Sequence, residues 1–279
     1  MSLQENLLHP RPSWLPGALT AIGRHGFLTA RQVGVVVHKD LLEVRDALGA
    51  LALEGLLDEF MPTHAARGHE VAPAFALTRT GCQVLRSIDD RAPAAVSPGK
   101  SRYILAHDLE RNELGLVLEG LAEKGAIVLH RFETAREKIA AVGYVATVGT
   151  QVRVPLVADA LAVVGVASEV TVLLVEIDRG TIGIDKMCLK YRGYLAWFRD
   201  QGPLRRFGLA SLRVLTVAPT AARMKRLREA AIEATDGRGS GLFWFCEASA
   251  ADCSAPEKLL APVFTTARPG ETTGKRLFA

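Results

Sequence analysis

Residues 152–195 read VRVPLVADALAVVGVASEVTVLLVEIDRGTIGIDKMCLKYRGYL. The pattern is strand, turn, strand, helix. An apolar run from Val152 breaks at the polar pair Ser168 and Glu169. A second run, Thr171 to Ile177, follows it. Lys186, Lys190 and Tyr194 then recur every four residues, which places them on one face of a helix. Three carboxylates, Asp159, Glu176 and Asp178, stand where a mostly apolar sheet should hold none. Burying an unpaired charge is costly, so such groups are neutralised, paired or bound to metal. Strand side chains alternate between faces, so Glu176 and Asp178 point the same way. Asp159 lies on the adjacent strand if the two runs pair as a hairpin.

Converging carboxylates at the end of a sheet suit a hard divalent cation, Mg2+ or Mn2+. Such an ion orients a phosphate, activates water and stabilises a leaving oxygen. The metal set expected here is Asp159, Glu176 and Asp178, the last as a ligand or as an orienting acid. Plainer readings stand beside this one. Asp178 shapes the turn Asp178-Arg179-Gly180 or pairs with Arg179. Lys186 and Lys190 are solvated lysines, and Tyr194 and Trp197 are core. Asp159 and Glu176 are harder to dismiss, since each follows an apolar run.

On the C-terminal side, Leu212 to Val217 reads as a strand. Thr220 to Thr235 is a basic helix with Arg223, Lys225, Arg226 and Arg228, and Leu242 to Cys246 is a last strand. Arg223, Lys225 and Arg226 form either a phosphate-tracking surface or an ordinary solvated face. The tail from Thr266 is expected to be mobile. On the N-terminal side, a helix from about Leu105 to Lys124 buries Leu109, Leu114, Leu118 and Leu121. A strand, Ala126 to Phe132, follows, and Thr134 to Val142 reads as a short helix. The resulting order is helix, strand, strand, strand, helix, strand, helix, strand, which indicates an α/β sheet covered by helices.

Asp89 to Arg102, with two prolines, small residues and charges, reads as a linker. Two domains are therefore expected, residues 14–88 and 103–265. In the first, Leu15, Leu19, Ile22 and Phe27 space one helix. Thr29 caps a second helix to about Val37, and Asp40 to Leu53 forms a third. Extended stretches at Gly55 to Leu57 and Phe75 to Thr78 flank a polar loop. Thr80 caps a last helix, Gly81 to Ile88. Three helices, a hairpin and a further helix are the plan of a winged helix-turn-helix. The third helix offers Arg45 to DNA, but it also carries Glu43, Asp46 and Glu54, so it repels phosphate as much as it attracts it. The loop adds Arg67, with His64 and His69 as solvated histidines. DNA docking and dimerisation or partner docking are both open for this domain.

The chain has 279 residues, 49% hydrophobic and 23% charged, a globular composition. Its net charge of +4 permits nucleic-acid binding without demanding it. Four cysteines without a CxxC pair read as reduced thiols, and no basic leader precedes an apolar core, so a cytoplasmic location is expected. Asp159 and Glu169 interrupt the most apolar run, which argues against a membrane span.

An α-β-β-β-α-β core with an acid on its second strand and Glu-x-basic on its third resembles the PD-(D/E)xK nuclease plan. Within it, VEIDRGT (175–181) followed by KYRGYLAWF (190–198) resembles the replication-relaxation family of plasmids and other mobile elements. So does HDLERNEL (107–114), which resembles that family's opening helix through His107 and Asn112. GFLTARQV (26–33) and ALALEGLLDEF…FALTRTG (50–60 and 75–81) resemble winged-helix phrasing. The fold class implied is α/β (α+β overall): an N-terminal winged helix-turn-helix followed by a restriction-endonuclease-like domain. The resemblance implies DNA as partner, together with other replication or mobilisation proteins or a second copy in a homodimer. It also implies a metal-dependent endonuclease or nickase with Asp159, Glu176, Asp178, Lys190 and Lys186 as catalytic candidates. Lys190 and Tyr194 match the family's Lys and Tyr. The departures are Ala158-Asp159 in place of Pro-Asp, and Asp178 where the nuclease plan has Lys. Those departures keep a second expectation in view, a non-catalytic DNA-binding replication or transcription regulator with a degenerate nuclease fold.

Overall fold

The computed structural model describes residues 12–62, 71–88, 102–134, 140–147, 150–209 and 211–278. The loop residues His64, Arg67 and His69 and the linker positions 89–101 lie outside the described residues. The chain is mixed α/β and divides into two compact units, residues 1–112 and 113–279.

The first unit runs α1 (Leu15–His25), β1 (Leu28–Thr29), α2 (Ala30–Val37), α3 (Leu41–Leu53), β2 (Leu57–Phe60), β3 (Ala74–Leu77) and α4 (Arg79–Ile88). The first half of α5 (Arg102–Glu123) belongs to it, so the boundary between the units falls inside α5. The caps explain the element starts. Thr29 accepts from the Gln32 amide while the Gln32 side chain accepts from the Thr29 amide, a capping box for α2. Asp40 accepts from Leu42 N at 2.8 Å to open α3. Thr78, not Thr80, caps α4. Its hydroxyl accepts from Gly81 N at 3.0 Å, because the helix begins earlier, at Arg79. β3 lies between β1 and β2, antiparallel to both. Asn112, fully buried, donates to the carbonyls of His25 and Phe27 and so satisfies the end of α1.

The second unit continues from α5 through β4 (Val128–Glu133), β5 (Ala141–Thr147), β6 (Thr150–Leu156), β7 (Ala160–Val166) and β8 (Glu169–Ile177). It then runs α6 (Ile184–Arg199), α7 (Gly202–Phe207), β9 (Leu212–Ala218), α8 (Ala221–Glu233), β10 (Ser240–Glu247) and β11 (Thr265–Ala267). Six strands make one sheet in the order β11-β10-β9-β8-β7-β4. β8, β9 and β10 are parallel, so each connection between them must cross over, and α6 and α8 are those crossovers. Their apolar sides meet Leu174, Val214, Phe243 and Phe245 of the sheet in one core.

Three features depart from the sequence expectation. The apolar run from Val152 is two strands, not one. β6 pairs with β5 in a separate hairpin, and only β7 joins the main sheet. The hairpin packs on α6 through the buried Val154 and Leu156, while Gln151 and Arg153 are exposed. Its approach is close: a Cβ on Gly143 would lie 2.1 Å from the Gly193 carbonyl oxygen. The short helix expected over Thr134–Val142 gives way to β5 from Ala141; residues 135–139 lie outside the described set. The tail beyond Thr266 is tied down. The Glu271 carboxylate accepts from Thr266 N and Oγ1 and pairs with Lys275, and Leu277 is fully buried.

Candidate functional site

β8 delivers Glu176 to the sheet's end, one residue before the strand stops, and Asp178 just beyond it. Both are buried, at 4% and 5% exposure. The break between β6 and β7 brings Asp159 beside them. Its amide donates to Val175 O, and its carboxylate accepts from Ile177 N at 2.7 Å.

α6 passes over this end of the sheet. Its buried side, Met187, Cys188, Tyr191, Tyr194 and Leu195, follows the three-to-four spacing of an amphipathic helix. Lys190 Nζ donates to Glu176 Oε2 at 2.5 Å and to Val157 O at 3.0 Å. Tyr194 OH donates to Glu176 Oε1 at 2.5 Å. Both carboxylate oxygens of Glu176 are thus engaged. Burial, more than any neighbour, pushes the Glu176 carboxyl up to about 7; Lys190 pulls it down, and Asp159 pushes it further up. Burial first, and then the Glu176 charge, raise the Tyr194 phenol well above its ordinary value, so it stays a donor.

Asp178 has a different partner. Arg223 of α8 grips it with two bonds, Nε to Oδ2 at 2.8 Å and NH2 to Oδ1 at 2.9 Å. Gly180 N adds a third bond at 3.1 Å, closing the turn after β8. The same guanidinium reaches Ile182 O at 2.6 Å. Tyr191 is fully buried, within the influence of both carboxylate charges, and its hydroxyl lies 3.1 Å from Thr216 Oγ1 of β9.

The structure therefore brings together Asp159, Glu176, Lys190 and Tyr194. It gives Asp178 to Arg223, which leaves Arg223 committed inside the unit rather than turned to solvent. Lys186, in the first turn of α6, is exposed. Lys225 and Arg226 are exposed on α8, and Arg45 is exposed on α3 beside Asp46, 3.5 Å away. His107 and Asn112 belong to the first unit. His107 lies 3.6 Å from Asp108. Tyr191, Thr216 and the Val157 carbonyl were not foreseen. For Tyr191 the signal was present, since it falls three residues before Tyr194 on the buried side of α6.

As a seat for a divalent cation, the donor set does not fit as arranged. Glu176 and Asp178 already spend every carboxylate oxygen on Lys190, Tyr194, Arg223 and Gly180 N. Among the described residues, no group of three His, Cys, Asp or Glu side chains is placed to hold a metal. Among the same residues, no helix is long and apolar enough to cross a membrane.

The model of the replication-relaxation family matches residues 19–208, more than half of the chain, and spans α3, the β6–β8 segment and α6. No curated protein and no solved structure gives a significant match. The matched stretch contains Asp159, Glu176, Asp178, Lys190 and Tyr194, and it ends before Arg223, which lies beyond residue 208. The chain belongs to the replication-relaxation family.

Proposed function

We propose that this chain is a DNA-binding replication protein of a plasmid or other mobile element, whose nuclease-like core serves as a scaffold. In this reading the first unit is a winged helix-turn-helix, and the second is a restriction-endonuclease-like domain with its acidic cluster neutralised from within. One observation carries it: the carboxylates of Glu176 and Asp178 are each already matched by a cation of the protein, Lys190 and Arg223. A buried carboxylate so paired needs no metal to be tolerated. DNA would meet the exposed Lys225 and Arg226 on α8 rather than α3, whose acids outnumber its single arginine.

A second reading, a metal-dependent endonuclease or nickase using Mg2+ or Mn2+, has an observation of its own. Asp159, Glu176 and a lysine amine do converge, the arrangement such chemistry needs. It requires Glu176 to release Tyr194 or Lys190 first.

One plasmid assay separates the two. Supercoiled plasmid is incubated with the protein, with and without Mg2+ or Mn2+. The scaffold reading expects retarded plasmid with no nicked form under either condition. It also expects Lys225→Ala/Arg226→Ala to bind every sequence more weakly, with a flatter salt dependence because fewer counterions are released. Metal-dependent nicking that Glu176→Gln abolishes would replace this reading with the enzyme. Failure to retard any DNA would remove both.

A further inference from the structure

We propose that the β5–β6 hairpin and the end of α6 form a cleft for single-stranded DNA, with Tyr144 as the platform on which a base stacks. The proposal rests on the DNA-binding reading above and gives it a second surface, apart from Lys225 and Arg226. The hairpin stands outside the six-stranded sheet, and its inner residues Val145, Val154 and Leu156 pack into the core beneath α6. The close approach of Gly143 to Gly193 holds it there. Alternate residues of a strand point to the opposite face. On that outer face Tyr144 and Arg153 are partners across the two strands, and both are exposed, Tyr144 at 52%. Residues 140–158 contain no acid, and Arg153 is their single charge. Beside the hairpin lies a cleft of about 460 Å3, lined by Tyr144, Gln151, Arg192, Arg199, Asp200 and Asp236. Sites for small organic groups span roughly 300–1,000 Å3.

The lining chooses between the two forms of DNA. A duplex is bound first through its phosphates, which call for a surplus of cations. Here the charges nearly cancel. Arg192 lies 3.7 Å from Glu233, and Asp236 lies 3.3 Å from Arg238. Arg199 and Asp200 are adjacent and opposite in sign, which leaves Arg153 as the surplus. A duplex resting here on its phosphates would gain little. A single strand also brings unpaired bases, whose edges carry donors and acceptors together. Carboxylates accept from base amino groups, and Arg and Gln side chains donate to base acceptors. Mixed donors and acceptors therefore suit base edges better than they suit phosphates. The exposed ring of Tyr144 adds a stacking surface, which a base can use only when it has left the duplex stack.

The test is fluorescence anisotropy of the full chain with a labelled mixed-sequence oligonucleotide, offered as a single strand, as its duplex and in competition with free mononucleotides. Wild type is expected to bind the single strand. Tyr144→Ala should weaken that binding by about tenfold, the loss of one stacked base. Tyr144→Trp should retain it, because the ring and not the hydroxyl is what stacks. Arg192→Ala/Arg199→Ala should weaken it further and flatten its salt dependence. Duplex binding should be indifferent to Tyr144→Ala and should fall with Lys225→Ala/Arg226→Ala. Unchanged circular dichroism is expected for Tyr144→Ala, since the side chain faces outward. Single-strand binding that ignores Tyr144→Ala would overturn the proposal. So would mononucleotides that compete as well as the strand does, which would make the cleft a nucleotide site. A chain that binds duplex but no single strand would remove this proposal and leave the DNA-binding reading standing. A chain that binds neither form would remove both.

Discussion

Glu176 and Asp178 stand two residues apart at the end of β8, and both are buried, yet they are neutralised by different means. Asp178 is held by a forked guanidinium in two parallel bonds, the geometry in which a carboxylate–cation pair is strongest. Glu176 faces an ammonium that it shares with the Val157 carbonyl, plus a neutral phenol. A point charge divided between two acceptors neutralises less completely, and burial keeps the Glu176 carboxyl at about 7. Asp178 is therefore the end of the site that is fixed in geometry by its forked partner, and Glu176 is the end whose charge can change. Arg223 shows the reciprocal effect, raised above its ordinary range first by its bonds to Asp178.

The largest expected effect tests the fixed end. Arg223→Met leaves Asp178, its side chain 1% exposed, buried without its cation. Removing one member of a buried pair costs about 3–5 kcal/mol. Urea denaturation near pH 8 should show that loss, and Asp178→Asn in the same chain should recover part of it. A loss within the range of a surface substitution would mean that the pair is solvated and that the comparison with Glu176 is empty.

The next effect tests the changeable end. Glu176 binds its proton more tightly folded, at about 7, than at its ordinary value of 4.5. Its contribution to stability is therefore present below about pH 4.5 and lost as pH rises through about 7. At 1.36 kcal/mol per unit the loss is about 3 kcal/mol. Glu176→Gln should flatten the stability profile between those two values. A wild-type profile that is already flat there, or one that rises, would mean that Lys190 holds Glu176 ionised throughout.

Much of the second unit could be read from its apolar runs. β8, β9 and β10 and the helices between them lie close to where the patterns place them. Each is buried enough that hydrophobicity alone marks it. The hairpin of β5 and β6 could not be read this way, because only three residues separate β6 from β7 and only the pairing shows that they belong to different sheets. The tail was misread for a similar reason. Thr266, Glu271 and Lys275 look solvated until they meet one another. At the site, Lys190 and Tyr194, four residues apart on α6, both reach Glu176, while Lys186, on the same spacing, is exposed. Arg223 was legible as a basic residue but not as the partner of Asp178, since nothing local joins positions 45 residues apart. Pairwise geometry over that distance is a product of the sheet order, which composition does not encode.

The smallest effect separates the two donors on Glu176. Tyr194→Phe removes the phenol that donates to Oε1 while leaving the ring in the core. That bond favours the ionised carboxylate, so its loss should move the Glu176 carboxyl further above 7. Hydrogen bonds to charged groups contribute about 1.5–3 kcal/mol, and those between neutral groups about 1. The destabilisation should therefore be about 2 kcal/mol at pH 8, where Glu176 is ionised, and about 1 or less at pH 5, where it is protonated. Thermal or urea denaturation at the two values measures the difference directly. Equal losses at both would mean that Tyr194 only fills space, and that Lys190 alone answers the charge. A larger loss at pH 5 would reverse the direction of the bond, with the protonated Glu176 donating to the phenol oxygen.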